Sequence, residues 1–79
     1  MYMSFDNKIV GRVIREVRNS KKLSQETLSG LSGMARTHLS MIETGDKQPN
    51  FETIWKVAEA LDLKPSQLVK MIEDEISKK

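Results

Sequence analysis

Apolar residues recur along most of the chain at intervals of three and four positions, the spacing of one face of an α-helix. Near the N-terminus, Val13, Ile14 and Val17 follow this spacing, with charged residues between them. Asp6 precedes the run and is a good N-cap residue, so the pattern predicts a first helix over about 6–20. No segment alternates apolar and polar residues with a period of two, so no strand is predicted.

Breaks between the apolar runs divide the rest of the chain into four further helices. Ser24 and Asn50 are good N-cap residues, and Pro65 suits the first turn of a helix. Gly33 and Gly45 interrupt or end helices. The five predicted helices span about residues 6–20, 25–31, 35–43, 51–61 and 65–78. The pattern therefore predicts an all-α protein, a compact five-helix bundle in one domain.

The second and third predicted helices are short and close together, as in a helix-turn-helix. The two helices of this motif cross steeply, so the first needs a small residue at its centre, where Ser29 stands. The turn needs a residue that tolerates positive φ, and Gly33 occupies it. Leu39 and Ile42 provide an apolar anchor for the second helix of the motif. These four positions together predict a helix-turn-helix at helices two and three.

The amino-acid composition disfavours several classes of protein. The chain has 79 residues, no cysteine and one histidine, which excludes disulfides and makes a zinc site implausible. No apolar run approaches the roughly 20 residues of a membrane span, and no signal peptide is evident. These properties disfavour a secreted mini-protein, a membrane protein and a metalloenzyme, and we expect no metal and no cofactor.

Charge is distributed unevenly along the chain, although the net charge is only +2. Residues 1–50 hold eight lysines and arginines against five acids, whereas residues 51–79 hold five lysines against six acids. The first part is therefore basic, which hints at a polyanionic partner.

Several segments resemble the Cro/C1 (XRE-type) helix-turn-helix family over roughly residues 10–68. They are LSQE at 23–26, Gly33, LSMIETG at 39–45, PNFETI at 49–54 and AEAL at 58–61. The resemblance implies a lambda-repressor-like fold in a domain over 6–79, whose C-terminal helix 65–78 serves dimerisation. The short length and the pair Arg36-Thr37 also resemble the controller proteins of restriction–modification systems.

Two positions depart from the family pattern. Ala35 stands where the family usually has a serine or threonine that caps the third helix, and Lys64 stands where a small hydroxyl is usual. Alanine cannot accept the capping hydrogen bond, and the loss of such a cap costs about 1 kcal/mol. A capping or phosphate-binding role at position 35 is therefore in doubt.

In this motif the third helix enters the DNA major groove, with its N-terminal residues facing base edges. The expected base contacts are Arg36, Thr37, Ser40 and Met41. Arg36 suits a bidentate contact to guanine O6 and N7. The alternatives are a solvated or phosphate-binding role for Arg36, helix-end hydrogen bonding for Thr37 and partly buried packing for Met41.

The resemblance also implies contacts to the DNA backbone, which position a protein without choosing a sequence. The expected residues are Gln25, His38, Thr44, Lys47, Gln48 and Asn50. Asn50 has the alternative role of capping the fourth helix, and both roles are compatible. His38 lacks a second catalytic partner, so a surface role is favoured. By resemblance, Arg18 and Glu43 form a partly buried ion pair that joins helices one and three.

The fifth helix is longer than the minimal domain requires. With Leu68 facing the core, we expect an exposed apolar stripe, which usually marks a partner surface. The stripe consists of Val69, Ile72 and Ile76. The favoured partner is a second copy, and the alternative is packing against the N-terminal Tyr2, Met3 and Phe5. We expect Trp55 in the core or at the edge of the interface.

The leading hypothesis is a cytoplasmic, sequence-specific transcriptional regulator that binds double-stranded DNA as a homodimer on a palindromic operator. Its narrower form is a restriction–modification controller. The alternative is an antitoxin-type or other protein-interaction module that binds a partner protein as well as DNA. A membrane-bound amphipathic helix is disfavoured, since the basic first helix belongs to a bundle. An enzyme is least favoured because no nucleophile–base pair, phosphate-binding loop or metal set is present.

Overall fold

A computed structural model describes residues 4–78, and within this range the chain forms five α-helices and no strand. They are α1 (Asn7–Ser20), α2 (Gln25–Leu31), α3 (Arg36–Thr44), α4 (Phe51–Ala60) and α5 (Pro65–Ser77). The predicted all-α five-helix fold is confirmed, with each helix within one or two residues of its expected bounds. None of the helices in the described range is long and apolar enough to span a membrane.

Three helices begin at side-chain caps that the sequence predicted. The Asp6 carboxylate accepts from the backbone N–H groups of residues 8 and 9 at 2.9 and 3.3 Å. Ser24 Oγ accepts from the N–H of residue 27 at 3.0 Å, and Asn50 Oδ1 accepts from that of residue 53 at 2.8 Å. These bonds satisfy donors that the first turn of a helix leaves free, so the starting points of α1, α2 and α4 are fixed locally.

The two helices that depart from the family pattern begin differently. No side chain caps α3 at Ala35, as expected for alanine. At the start of α5, Gln67 Oε1 accepts from the backbone N–H of Lys64 at 2.8 Å. The glutamine thus satisfies a donor at the cap residue from inside the helix.

Helix α1 is the centre of the bundle and packs against both α3 and α5, while α4 packs against α5 and α2. The core is a single cluster to which all five helices contribute. Its buried members are Ile9, Val10, Val13, Ile14, Val17, Leu28, Leu39, Ile42, Val57, Ala58, Leu61, Leu68, Ile72 and Ile76.

The structure corrects the predicted stripe on α5. Ile72 and Ile76 are only 7% and 8% exposed and belong to the core, so of the three predicted stripe residues only Val69 is exposed. Helix α5 packs against both α1 and α4, and the two isoleucines belong to the core cluster that these helices share. Trp55 is not in the core either, since 46% of its surface is exposed.

Candidate nucleic-acid interface

Helices α2 and α3 form the predicted helix-turn-helix. Ser29 is buried at the centre of α2, and Gly33 in the turn has φ +70°, a conformation that favours glycine. The N–H of Met34 donates to the carbonyl of Ser29 at 2.9 Å and closes the turn. Leu39 and Ile42 of α3 are completely buried. All four positions that carried the prediction therefore have the expected geometry.

Helix α3 presents its polar residues on the side away from this anchor. Arg36, Thr37 and Met41 are exposed, and Ser40 and His38 are half-buried. The helix contains one acidic residue, Glu43, and it is buried. The exposed surface of α3 therefore carries hydroxyl, thioether and guanidinium groups without a competing carboxylate, a surface chemistry suited to the edges of bases.

The buried Glu43 forms the expected ion pair with Arg18. Arg18 Nε donates to Glu43 Oε2 at 2.7 Å, and Arg18 Nη2 donates to Glu43 Oε1 at 3.0 Å. The third nitrogen of the guanidinium group, Arg18 Nη1, donates to the carbonyl oxygen of Leu23 at 2.8 Å. The hydrogen bond to Glu43 raises the pKa of Arg18 above its usual value. This bidentate pair joins the C-terminal half of α1 to the last turn of α3.

Gln25 extends this ion pair to the exposed surface of the motif. Its Nε2 donates to Glu43 Oε1 at 3.0 Å, and its Oε1 accepts from Arg36 Nη1 at 3.4 Å. A chain of polar contacts thus runs from Arg18 in the interior through Glu43 and Gln25 to Arg36. Sequence reasoning assigned Gln25 to the DNA backbone and missed this internal role.

The last residue of α3 and the loop between α3 and α4 hold four more of the predicted phosphate contacts. Thr44 Oγ1 lies 2.9 Å from Asp46 Oδ2, so its hydroxyl is engaged inside the loop. Lys47 and Gln48 are exposed. Asn50 caps α4 through Oδ1, as predicted, and its amide nitrogen takes no part in the cap. Lys47, Gln48 and Asn50 are thus all exposed in the loop before α4.

Two glycines allow α3 to lie directly on the backbone of α1. A Cβ atom at Gly11 would collide with the carbonyl oxygen of Ile42 and would stand 2.6 Å from that of Glu43. At the other end of the contact, a Cβ at Gly45 would stand 2.7 Å from Cγ of Lys8, and Gly45 has φ +86°. The position of α3 relative to α1 is thus set by a backbone-to-backbone contact as well as by the ion pair.

A helix-turn-helix family profile matches residues 14–68 of the chain. The chain belongs to the XRE-type helix-turn-helix family of transcriptional regulators. The matched segment includes α2, α3 and α4 and both partners of the buried ion pair, whereas Gly11 and Lys8 lie before it.

Relatives within this family include regulators and controller proteins. The HTH-type transcriptional regulator y4dL of Sinorhizobium fredii is 36% identical over 61 residues, and the match covers 77% of this chain and 31% of that protein. The chain thus spans about a third of that relative's length.

Among solved structures, the restriction–modification controller C.AhdI of Aeromonas hydrophila is 40% identical with a TM-score of 0.76, covering 78% of this chain and 94% of that one. The controller C.Esp1396I, solved as a tetramer with its natural 35 base-pair operator, is 27% identical with a TM-score of 0.83, covering 92% and 96%. These relatives do not favour the antitoxin-type alternative.

The family resemblance did not reveal which apolar side chains of this chain remain exposed. Trp55 was expected in the core or at the edge of the dimer interface, and of these two only the core is excluded. Both Trp55 and Phe51 are exposed, and their rings meet edge to face with centroids 5.9 Å apart. Their spacing of four residues places them on one side of the helix, which was the available signal. Of the alternative partners of the α5 stripe, Phe5 is exposed, and Tyr2 and Met3 lie outside the described residues.

Proposed function

We propose that this chain is a sequence-specific DNA-binding regulator that acts as a homodimer on a palindromic operator, in the manner of a restriction–modification controller. The observation that carries the proposal is the two-sided character of α3. Its only acid is buried and paired with Arg18, and its exposed side offers Arg36, Thr37 and Met41. A helix that is held so firmly and carries no exposed carboxylate suits the major groove.

Base recognition is assigned to the exposed side of α3. Arg36 would read a guanine through its two-pronged guanidinium group, and Met41 would contact a thymine methyl. Thr37 and Ser40 supply hydroxyls that suit several base edges. Arg36 Nη1 donates to Gln25 Oε1 at 3.4 Å, and this hydrogen bond supports the assignment. It holds one nitrogen of the guanidinium group in place and leaves the other N–H donors for a base.

Backbone contacts are assigned to residues that flank α3, and these are expected to supply affinity rather than sequence preference. Lys47 and Gln48 are exposed in the loop, and His38 is half-buried on α3. Asn50 uses only Oδ1 for the cap of α4, so its amide nitrogen can donate to a phosphate. The predicted contacts from Gln25 and Thr44 would have to coexist with the internal hydrogen bonds that both side chains make.

Similarity to the controllers supports a function that depends on more than one copy. C.Esp1396I is a tetramer on its operator, and this chain covers 96% of that controller at a TM-score of 0.83. In a dimer related by a two-fold axis, two α3 helices would lie about 34–36 Å apart, one turn of DNA. A DNA-binding role supports a cytoplasmic location, and the proposal includes no catalytic role.

Selection of bound sequences from a pool of random duplexes tests this function. We expect enrichment of a palindrome whose half-sites are centred about 10–10.5 base pairs apart. The logarithm of the association constant for the selected duplex should fall linearly with the logarithm of salt concentration. A recovered pool without any enriched sequence, together with equal affinity for all duplexes, would contradict the proposal.

A further inference from the structure

An exposed methionine lies on the side of α3 that we assigned to the bases. Of the three methionines within the described residues, Met34 is half-buried against the core, while Met41 and Met71 are 44% and 40% exposed. Met41 belongs to α3 and Met71 to α5. The chain has no cysteine, so no thiol of its own competes with these thioethers for an oxidant.

The backbone at Met41 is held by hydrogen bonds that do not involve its sulfur. Its carbonyl oxygen accepts from the N–H groups of Asp46 and Lys47 at 2.9 and 3.1 Å, which closes the end of α3. On the inner side of the helix, Leu39 and Ile42 are completely buried. A chemical change at the sulfur therefore alters the outer surface of α3 and leaves the anchoring of the helix intact.

Oxidation of the sulfur would reverse the chemical character of this position. A thioether is apolar and suits a thymine methyl, whereas a sulfoxide is polar and its oxygen accepts hydrogen bonds. Removing that oxygen from water against a methyl group, or against an acceptor such as guanine O6, leaves it without a hydrogen bond. The oxidised side chain is thus a poor match for the base edge that the methionine fits.

We propose that Met41 is a modification site, at which oxidation by a peroxide weakens binding to the selected DNA sequence. The inference rests on the proposed function, in which Met41 contacts a base. A lone pair of the sulfur attacks one peroxide oxygen, the S–O bond forms and the O–O bond breaks. The sulfur loses two electrons to the peroxide, and the departing hydroxide takes the proton of the transferred oxygen to become water. A methionine sulfoxide reductase with a dithiol reverses the change, releasing the oxygen as water and leaving a disulfide.

Fluorescence anisotropy with the selected duplex, before and after treatment with hydrogen peroxide, tests the effect. The dissociation constant of the treated wild type should rise by at least about 5-fold, the lower end of what one mismatched base pair costs. Methionine sulfoxide reductases and dithiothreitol should restore the original value. Peptide mass spectrometry identifies the oxidised methionines, and circular dichroism checks that the treated protein stays folded.

Met41→Leu and Met71→Leu form a matched pair, because the two methionines are almost equally exposed on different helices. Met41→Leu sets its own baseline affinity, which should stay within about 2-fold after peroxide treatment because leucine has a similar volume and no sulfur. Met71→Leu should lose affinity on treatment as the wild type does. Both variants keep Met1 and Met3, so oxidation at those positions does not account for a difference between them.

Bound DNA should shield the sulfur of Met41 from peroxide. If only the free protein reacts there, free duplex at about 10 times its dissociation constant should slow the oxidation of Met41 by about 10-fold. The oxidation rate of Met71 should stay the same, because α5 lies outside the assigned contacts. Mass spectrometry over a time course of treatment measures both rates in one sample.

These outcomes separate the inference from the proposed function. An oxidised Met41 with unchanged affinity, or a Met41→Leu variant that peroxide weakens as much as the wild type, would overturn the inference alone. Equal oxidation rates of Met41 with and without the duplex would also overturn it, since the sulfur would then not lie against a base. Selection of no sequence by the untreated protein would instead refute the function and, with it, the loss of binding inferred here.

Discussion

Helix α3 has two sides of opposite character. Toward the protein, Leu39 and Ile42 are completely buried, Glu43 is held by two hydrogen bonds from Arg18, and the helix backbone touches α1 at Gly11. Toward solvent, the side chains make few contacts within the chain. The inner side has several contacts that together fix the position of the helix, while the outer side has few. The position of α3 therefore depends mainly on residues other than the exposed ones.

Among the variants that test this comparison, those that break the ion pair between Arg18 and Glu43 should have the largest effect on stability. Glu43→Leu leaves Arg18 buried without its partner, and the expected loss is about 3–5 kcal/mol of unfolding free energy. The double variant Arg18→Met/Glu43→Leu should lose less than this single variant, because no unpaired charge stays buried. Urea unfolding followed by circular dichroism measures both. A double variant less stable than the single would show that Arg18 without its partner does not destabilise the protein, which would contradict this expectation.

Gly11→Ala tests the backbone contact between α1 and α3. Since the new Cβ would collide with the carbonyl oxygen of Ile42, the two helices must move apart, at a cost of about 3 kcal/mol. Gly30→Ala is the matched control, because no atom lies within 4 Å of a Cβ built there and the residue lies inside α2. That change should stabilise the protein by about 0.5–1 kcal/mol. Equal unfolding midpoints for the two variants would contradict the contact.

On the outer side, Arg36→Ala should leave stability unchanged and alter recognition. We expect a loss of about 1–3 kcal/mol in binding to the selected duplex and relaxed preference at one base position. Fluorescence anisotropy with single-position duplex variants measures both quantities. Unchanged discrimination at every position would assign Arg36 to a phosphate instead.

Lys47→Ala is the control for Arg36, since it removes a cation from the loop outside α3. Its affinity should fall by a similar factor for all duplexes, and the salt dependence should become shallower by about one unit of slope. If Lys47→Ala changed the preferred base at any position, the assignment of Lys47 to the DNA backbone rather than to the bases would be wrong.

The smallest effect concerns Glu75 of α5, which pairs with Arg12 of α1 and with Lys78 at the end of its own helix. Glu75 accepts from Lys78 at 2.7 Å and from Arg12 at 3.1 Å. The hydrogen bond from Lys78 lowers the pKa of Glu75 below its usual value. Its contribution to stability is therefore present above the ordinary glutamate pKa, and it is lost as the pH falls through the lowered value.

Glu75→Gln should accordingly be slightly less stable than the wild type near neutral pH, with the difference vanishing in acid. Thermal unfolding measured from about pH 3 to pH 7 shows this convergence. Glu73→Gln, a matched change on the same helix, removes neither contact and should follow the wild type. A constant difference between Glu75→Gln and wild type at all pH values would reject the electrostatic origin.

Prediction from sequence succeeded where local chemistry decides the structure. Asp6, Ser24 and Asn50 accept hydrogen bonds from N–H groups two or three residues away, so their capping roles can be found by inspecting a few neighbours. Gly33 and Gly45 adopt positive φ as expected. The base and backbone contacts of the interface stay predictions, because they depend on a partner that the chain alone does not define.

Sequence alone determined the five helices, their order and the helix-turn-helix, because spacing, caps and glycines act within one turn of the chain. Only the tertiary structure decided which apolar residues are covered, since burial depends on the neighbouring helix. It buried Ile72 and Ile76, left Phe51 and Trp55 exposed, and linked Gln25 to both Glu43 and Arg36. An amphipathic pattern gives a helix its apolar side, but the packing angle of the bundle decides how wide a part of that side is covered.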